Sequence, residues 1–294
     1  MSAGPGSSTP RLSIVGLGAV GGAFARLALE RELSVQAWTR SWERAELWRQ
    51  QHGLTVHEDL EALARDGELL LLCVGDGALP EIVERLTPLA PRVVAHVAGA
   101  LGPEALAPLG EAGWAIGACH PARPIPSVRP ETLRGAALTL AGDGRALPAL
   151  RSLADALGLP SMELSAEGDA RARYHAACAL LSNGVVGLAA EAERLLTPLA
   201  DPPAGAEAVV RSLLGGALEN LSAARPAEVL TGPVRRGDVG LVESHLRSLD
   251  PDQRALYAEV SAALLRLVGD ELEPARRAAL ERLLDRERRG AAPE

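Results

Sequence analysis

The chain has 294 residues and a formal net charge of -8 at pH 7, a length at which two cores are the default expectation. An acidic balance with only four Trp, two Tyr and one Phe disfavours a nucleic-acid partner, which needs a basic face and stacking platforms. No run reaches the roughly 20 apolar residues of a membrane span, the three cysteines lack the CxxC spacing of a zinc knuckle and the even count of a disulfide framework, and every basic residue is arginine, so a cytoplasmic protein without lysine chemistry is expected.

Residues 1–10, "MSAGPGSSTP", have neither a basic start nor a hydrophobic run and read as a flexible leader rather than a signal peptide. "RLSIVGLGAVGGAFARLALERE" follows, an apolar run to Val15, then Gly16, Gly18 and Gly21, then helical apolar spacing. This is GxGxxG between a strand and a helix. The first glycine permits the tight turn, the second lets backbone approach a pyrophosphate, and the third lets helix and strand pack closely; Ala19 and Val20 begin the helix whose free N–H groups face the phosphates. The next strand, in "LSVQAWTRS", ends without the acidic residue that would grip the ribose of NAD. Thr39, Arg40 and Ser41 stand there instead. A guanidinium flanked by hydroxyls suits the 2′-phosphate of NADP; a solvated surface arginine is the alternative reading.

"ELLLLCVGDGAL" and "RVVAHVAGAL" read as strands covered on both faces, each followed by a turn and a helix. Strands alternating with helices predict an α/β Rossmann-type doubly wound parallel sheet over residues 11–165, extended by "GWAIGACHP", "ALTLAGD" and "LPSMELS". Ligands of such sheets bind beyond the carboxyl ends of the strands. Val74, Gly75, His96 and Gly99 are therefore placed along the cofactor crevice.

Residues 166–294 change to long helical segments and predict an all-α second domain. "DARARYHAACALLSNGVVGLAAEAERLL" fits one helix about 40 Å long, with Gly184 and Gly187 suggesting close packing against another helix. On an unbroken helix His175 and Ser182 lie within about 20° of one another and Asn183 about 80° from His175, which makes a polar stripe among small apolar residues. Further on, "LTGPVRRGD" gathers Thr231, Arg235, Arg236 and Asp238 into one turn rich in glycine and proline.

"GLGAVG", "GACHP", "YHAACALLSN" and "LTGPVRRGD" followed by "HL" together resemble the bacterial Rossmann-like proteins with a DUF2520 domain, relatives of pyrroline-5-carboxylate reductase and ketopantoate reductase. The resemblance spans roughly residues 11 to 268. It implies an NADP-binding domain followed by a helical domain that often dimerises, so a homodimer is expected. The pattern is broken at Ala98, where the resemblance leads to a serine, and in "ARPIPS" after Pro121. Related hydroxyacid dehydrogenases place a lysine four residues before an asparagine on the long helix; here that residue is Ala179, so their mechanism does not carry over.

Reduction by NADPH needs a proton donor beside the reacting group. Arginine does not deprotonate and only two tyrosines are present, which leaves histidine as the expected donor near neutral pH. His52 and His57 lie in a polar stretch and His245 well after the turn motif, leaving His96, His120 and His175. His175 is the expected donor with Ser182 and Asn183 fixing a carbonyl or imine, and His120 positions substrate or closes the nicotinamide side. The turn at Thr231 presents Arg235 or Arg236 to an anionic substrate, with Asp238 orienting a guanidinium or capping the next helix; a capped surface loop is the alternative. The expected function is reduction of a small carboxylate-bearing ketone or imine, against a non-catalytic NADP-binding dimer or redox sensor. A metal site from Cys119, His120, His175 and Cys178 is weaker still, because the spacing is not that of a finger, and no metal is expected.

Overall fold

The computed structural model describes residues 11–125, 133–165, 168–202 and 204–290. One eight-stranded sheet runs in the order β3-β2-β1-β4-β5-β6-β7-β8, with β1 Leu12–Val15, β2 Val35–Trp38, β3 Thr55–His57, β4 Leu69–Leu72, β5 Val93–His96, β6 Ala115–Pro121, β7 Leu138–Gly142 and β8 Ser161–Glu163. Helices α1 Ala19–Glu30, α2 Trp42–His52, α3 Leu60–Asp66, α4 Leu79–Leu86, α5 Ala107–Glu111 and α6 Ala146–Leu157 lie between them.

The apolar runs of the central strands follow from their two covered faces. Leu12, Ile14, Leu69 and Leu71 join one buried cluster with Phe24 of α1. Val15, Leu70 and Leu72 join another with residues of α3 and α4 and with Trp114. Successive side chains of a strand point to opposite faces, so an unbroken run of leucine fills both layers. Val15 pairs with Trp38 and Leu72, and Leu72 with His96. The loops after β1, β2, β4 and β5 therefore leave the same edge of the sheet. Between β1 and β4 the winding reverses direction, which is where doubly wound sheets bind ligands.

Two features of the sheet depart from the sequence reading. The edge strand β3 was expected as polar surface; it holds because His57 Nε2 meets Gln36 Oε1 at 2.7 Å, and Gln36 donates through Nε2 to Ser13 Oγ at 3.0 Å. This polar ladder, crossing three strands, has no period-2 apolar signal. The β6–β7 pair is antiparallel, with His120 opposite Thr139, whereas all-parallel pairing was expected; alternation does not encode strand direction.

The chain forms two compact units, Met1–Gly184 and Val185–Glu294. The long segment expected as one helix is α7 Ala170–Ala179, a π-helical turn Leu180–Gly184, and α8 Val185–Leu196. The last strand ends at Glu163 and the next helix begins at Ala170, and the division between units comes later, after the π turn. The close helix packing expected at Gly184 and Gly187 is not seen among the described residues: a Cβ at Gly187 would meet nothing within 4 Å, and one at Gly184 only the Ala179 carbonyl at 3.7 Å.

The second unit continues with α9 Ala204–Ala223, α10 Pro226–Val229, α11 Pro233–Arg236, α12 Val239–Ser248, α13 Pro251–Val268 and α14 Pro274–Gly290. Its core is Val234, Val242, Leu246, Ala258, Leu265, Leu280 and Leu284, with their neighbours on α11 to α14. Asp250 caps α13 by accepting from Gln253 N at 2.9 Å, a contact of the kind that stabilises by about 1 kcal/mol. No helix among the described residues is long and apolar enough to cross a membrane.

Candidate active site

The turn after β1 has the geometry its glycines predict. Gly16 has φ 97°, and a Cβ there would stand 2.7 Å from the Cys73 carbonyl oxygen. A Cβ at Gly21 would lie 1.9 Å from the Gly16 oxygen and 2.8 Å from Cys73 Cβ. Both glycines are therefore required by contacts inside the fold. Gly18 differs: nothing lies within 4 Å of its missing Cβ. It occupies the N-cap of α1 with no side-chain cap, and no acid follows in the first turn. The N–H groups of Ala19, Val20 and their neighbours thus open onto a space that a side chain would fill, a cradle suited to a pyrophosphate.

A cleft of about 420 Å³ joins Gly16 and Gly18 to Thr39, Arg40, Ser41, Val74 and Gly75, so the loops after β1, β2 and β4 meet as expected. Ser41 is already engaged, its Oγ accepting from Arg44 N at 3.3 Å as the cap of α2. The cleft also contains Arg44, which the sequence reading passed over. Its signal was its place in the first turn of the helix that begins after Ser41, four residues beyond Arg40. Two arginines and no acid on the β2 side fit a phosphorylated ribose; Glu81 of α4 also lines the cleft. The residues present fit a nicotinamide dinucleotide.

The loop after β5 does not enter this cleft. His96 is fully buried, its Nε2 donating to the Gly102 carbonyl at 2.8 Å while Nδ1 accepts from Ala98 N at 3.2 Å. Burial lowers its pKa, and the neutral ring fastens the loop. A side chain with both ring nitrogens engaged has no hand free for the cofactor contact expected of it. Gly99 lies against another histidine: a Cβ there would meet His120 Nε2 at 2.8 Å.

His120, at the end of β6, brings its Nδ1 to 2.6 Å from the hydroxyl of Tyr174 on α7. Burial, helped by the charges of Arg171, His175 and His96, pulls the imidazole pKa down to about 4, and burial pushes the phenol up to about 12. Both groups are therefore uncharged near neutral pH. Arg171 and Tyr174 are three residues apart on α7 and share a face, and the guanidinium lies 5.8 Å from the Tyr174 ring centroid. The half-buried positions of this stretch include Arg171, Tyr174, Cys178, Ala179 and Ser182. The sequence reading missed Arg171 and Tyr174 because it followed the wrong stripe; His175 and Asn183 are exposed. Ser182 Oγ donates to the Cys178 carbonyl at 2.7 Å inside the π turn. A π turn takes one residue more than an α turn, displacing whatever follows by roughly 100°.

The second unit contains the turn at Thr231. Asp238 caps α12, accepting from Leu241 N at 3.1 Å, and Arg235 pairs with Glu271. Arg236 and Thr231 are exposed. Of the two readings of Asp238, capping is the one seen. A separate, apolar cavity of about 600 Å³ lies among Leu188, Leu195, Leu199 and Leu256, and includes His245 and Tyr257, joined at 2.8 Å. Among the described residues no group of three or more His, Cys, Asp or Glu is disposed to hold a metal ion.

Comparison with known proteins agrees with this architecture. Residues 4–121 match the Rossmann-like domain model, and residues 136–264 match the domain of unknown function DUF2520. No curated protein sequence matches the chain. Among solved structures, protein TM1727 of Thermotoga maritima is 25% identical with a TM-score of 0.70, over 88% of this chain and 98% of its own. A pyrroline-5-carboxylate reductase from Coxiella burnetii is 16% identical with a TM-score of 0.62, over 97% and 100%. A reductive aminase from Aspergillus terreus, solved with NADPH and ethyl-5-oxohexanoate, is 16% identical with a TM-score of 0.59, over 96% and 95%. Taken with the glycine turn and the helical second half, these matches give the chain a Rossmann-like domain followed by a DUF2520 domain.

Proposed function

We propose that the protein is an NADPH-dependent reductase of a small carboxylate-bearing ketone or imine, and that it works as a homodimer. The observation that carries this reading is the cleft in which the open glycine cradle at Gly18 is continuous with Arg40 and Arg44. The cradle receives the pyrophosphate, and the two guanidinium groups hold the 2′-phosphate. When bound, the cofactor supplies the hydride.

The chain supplies the proton. Tyr174, held fully protonated by burial, gives its hydroxyl proton to the oxygen or nitrogen being reduced. His120 Nδ1–H then donates to the phenolate oxygen left behind, at the 2.6 Å separation seen in the resting pair. Ser182, half-buried beyond Tyr174 in the same stretch, borders the substrate side, while His175 and Asn183 are exposed. The fold similarity to a pyrroline-5-carboxylate reductase and a reductive aminase supports the reaction class.

The test is NADPH oxidation against ketopantoate, pyrroline-5-carboxylate and a set of small 2-oxo acids and cyclic imines. Turnover of at least one carboxylate-bearing member is expected, with the Tyr174→Phe enzyme slowed by roughly a hundredfold or more in carbonyl reduction. Failure of NADPH to bind would overturn the reading.

A further inference from the structure

Arg171 has a feature that its cation–π contact leaves unexplained. Both terminal nitrogens of its guanidinium are buried, and among the described residues neither has a hydrogen-bond partner. An arginine cannot shed its proton to escape burial, as a lysine or histidine does. A buried, unpaired cation is among the most unfavourable arrangements a fold retains.

The surroundings do not supply the missing partner. Glu104, the acid whose charge Arg171 feels, is held by the loop after β5, its Oε1 accepting from Gly102 N at 3.1 Å. The other titratable groups whose charges reach this corner are His96, His120 and His175 with Asp76, Cys178 and the Tyr174 phenol. The ring nitrogens of His96 are taken, and His120 is bonded to Tyr174.

We propose that Arg171 is the anion-binding residue of this site, its paired nitrogens receiving a carboxylate of the substrate beside the His120–Tyr174 pair. A planar guanidinium binds a carboxylate through two parallel hydrogen bonds, which fixes the orientation of the attached carbon. A 2-oxo acid or cyclic imino acid held in this way has its reducible carbon one bond from the carboxylate, within reach of the Tyr174 hydroxyl. This site rests on the reductase reading for the identity of its substrate, while its chemistry, an anion on a buried guanidinium, is tested independently.

The probe is pyruvate, with methyl pyruvate as the uncharged control, titrated calorimetrically into the full-length protein with and without NADPH. Pyruvate should bind and its ester should bind at least tenfold more weakly. The Arg171→Gln variant should lose about tenfold to a hundredfold in pyruvate affinity with NADPH affinity unchanged, and Arg171→Lys should recover part of the loss. Arg236→Ala, altered in the second unit, should bind pyruvate like the parent. In the unaltered protein, pyruvate should also raise the titration midpoint of the His120 ring, followed by NMR, because the bound anion offsets the Arg171 charge; this readout stands even if the Arg171 variants fail to fold. Equal binding of pyruvate and its ester, or no binding of pyruvate, overturns the site. So does a loss confined to Arg236→Ala. A Gln variant that loses NADPH affinity but keeps pyruvate would assign the guanidinium to a cofactor phosphate instead. Loss of NADPH binding by the parent chain, with pyruvate binding intact, would count against the reductase reading and leave the anion site standing.

Discussion

Arg40 and Arg44 line the same cleft, and each has a measurable consequence. A charged hydrogen bond contributes roughly 1.5 to 3 kcal/mol, so NADPH should bind about tenfold to a hundredfold more tightly than NADH. Arg40→Ala and Arg44→Ala should each lose part of that preference and the double variant nearly all of it, with NADH affinity unchanged, as calorimetry can show. His120 gives a pH signature. Its pKa falls from the ordinary 6.5 to about 4 on folding, chiefly by burial, so between those values the unfolded chain binds more protons than the folded one. Stability is therefore full above about pH 6.5 and declines as the pH falls toward 4, with His96 shifting in the same direction. Urea midpoints measured at pH 7.5 and 5 should differ less in His120→Gln than in the parent chain; an equal decline would remove His120 as a cause. The glycine turn and the position of Arg40 at the cleft were legible because they follow from local backbone and the strand ends. Tyr174 and Arg171 were not, because their importance depends on His120, 54 residues from Tyr174, and on a register that the sequence does not state.

At the scale of elements, the strand–turn–helix at the start of the sheet separates two kinds of glycine. Gly21→Ala would drive a Cβ to 1.9 Å from the Gly16 oxygen, a contact that only backbone movement relieves. Overpacking of this kind typically destabilises by about 1–3 kcal/mol, and the turn it distorts is the phosphate cradle, so both stability and NADPH binding should fall. Gly18→Ala enters open space at φ -73°, where alanine is unstrained. It should cost at most about 1 kcal/mol, as for a poorer N-cap, yet weaken NADPH binding by filling the pyrophosphate's place. Thermal melts beside cofactor titrations separate the two, and equal destabilisation would refute the distinction. The covered strands and their helices were readable from unbroken apolar runs and breaker-rich turns. The edge strand β3 was not, since its hold on the sheet is the Ser13–Gln36–His57 ladder. The π turn at Leu180–Gly184 was equally hidden, because one additional residue in a helical turn changes no residue type. The reading of "LTGPVRRGD" stayed open until Arg235 was seen paired with Glu271 and Asp238 capping α12.

At the scale of the whole molecule, the second unit carries more apolar surface than its own core covers. On α8, Val186 is 69% exposed; in the short turn that follows it, Leu199 is 81% exposed; and on α9 Leu213 and Leu218 are 65% and 68% exposed. Scattered exposed leucines are ordinary, but this many large apolar residues exposed on two helices in contact point to an interaction surface. An apolar cavity bordered by Leu188, Leu195 and Leu199 lies in the same unit. A second copy of this chain is the proposed partner, because a two-fold arrangement lets one self-complementary patch cover both, and a stable interface of this kind buries about 1,200–2,000 Å² in total. The sequence indicated an excess of Leu and Ala but not which of them face outward, since helical periodicity cannot distinguish a core stripe from an interface stripe. Light scattering at micromolar concentration should give twice the chain mass. Leu213→Glu with Leu218→Glu should give monomers that keep the first unit's NADPH affinity, because neither residue belongs to the cofactor cleft. A parent chain that is monomeric, or a double variant that stays dimeric, would show that these leucines are not the subunit contact.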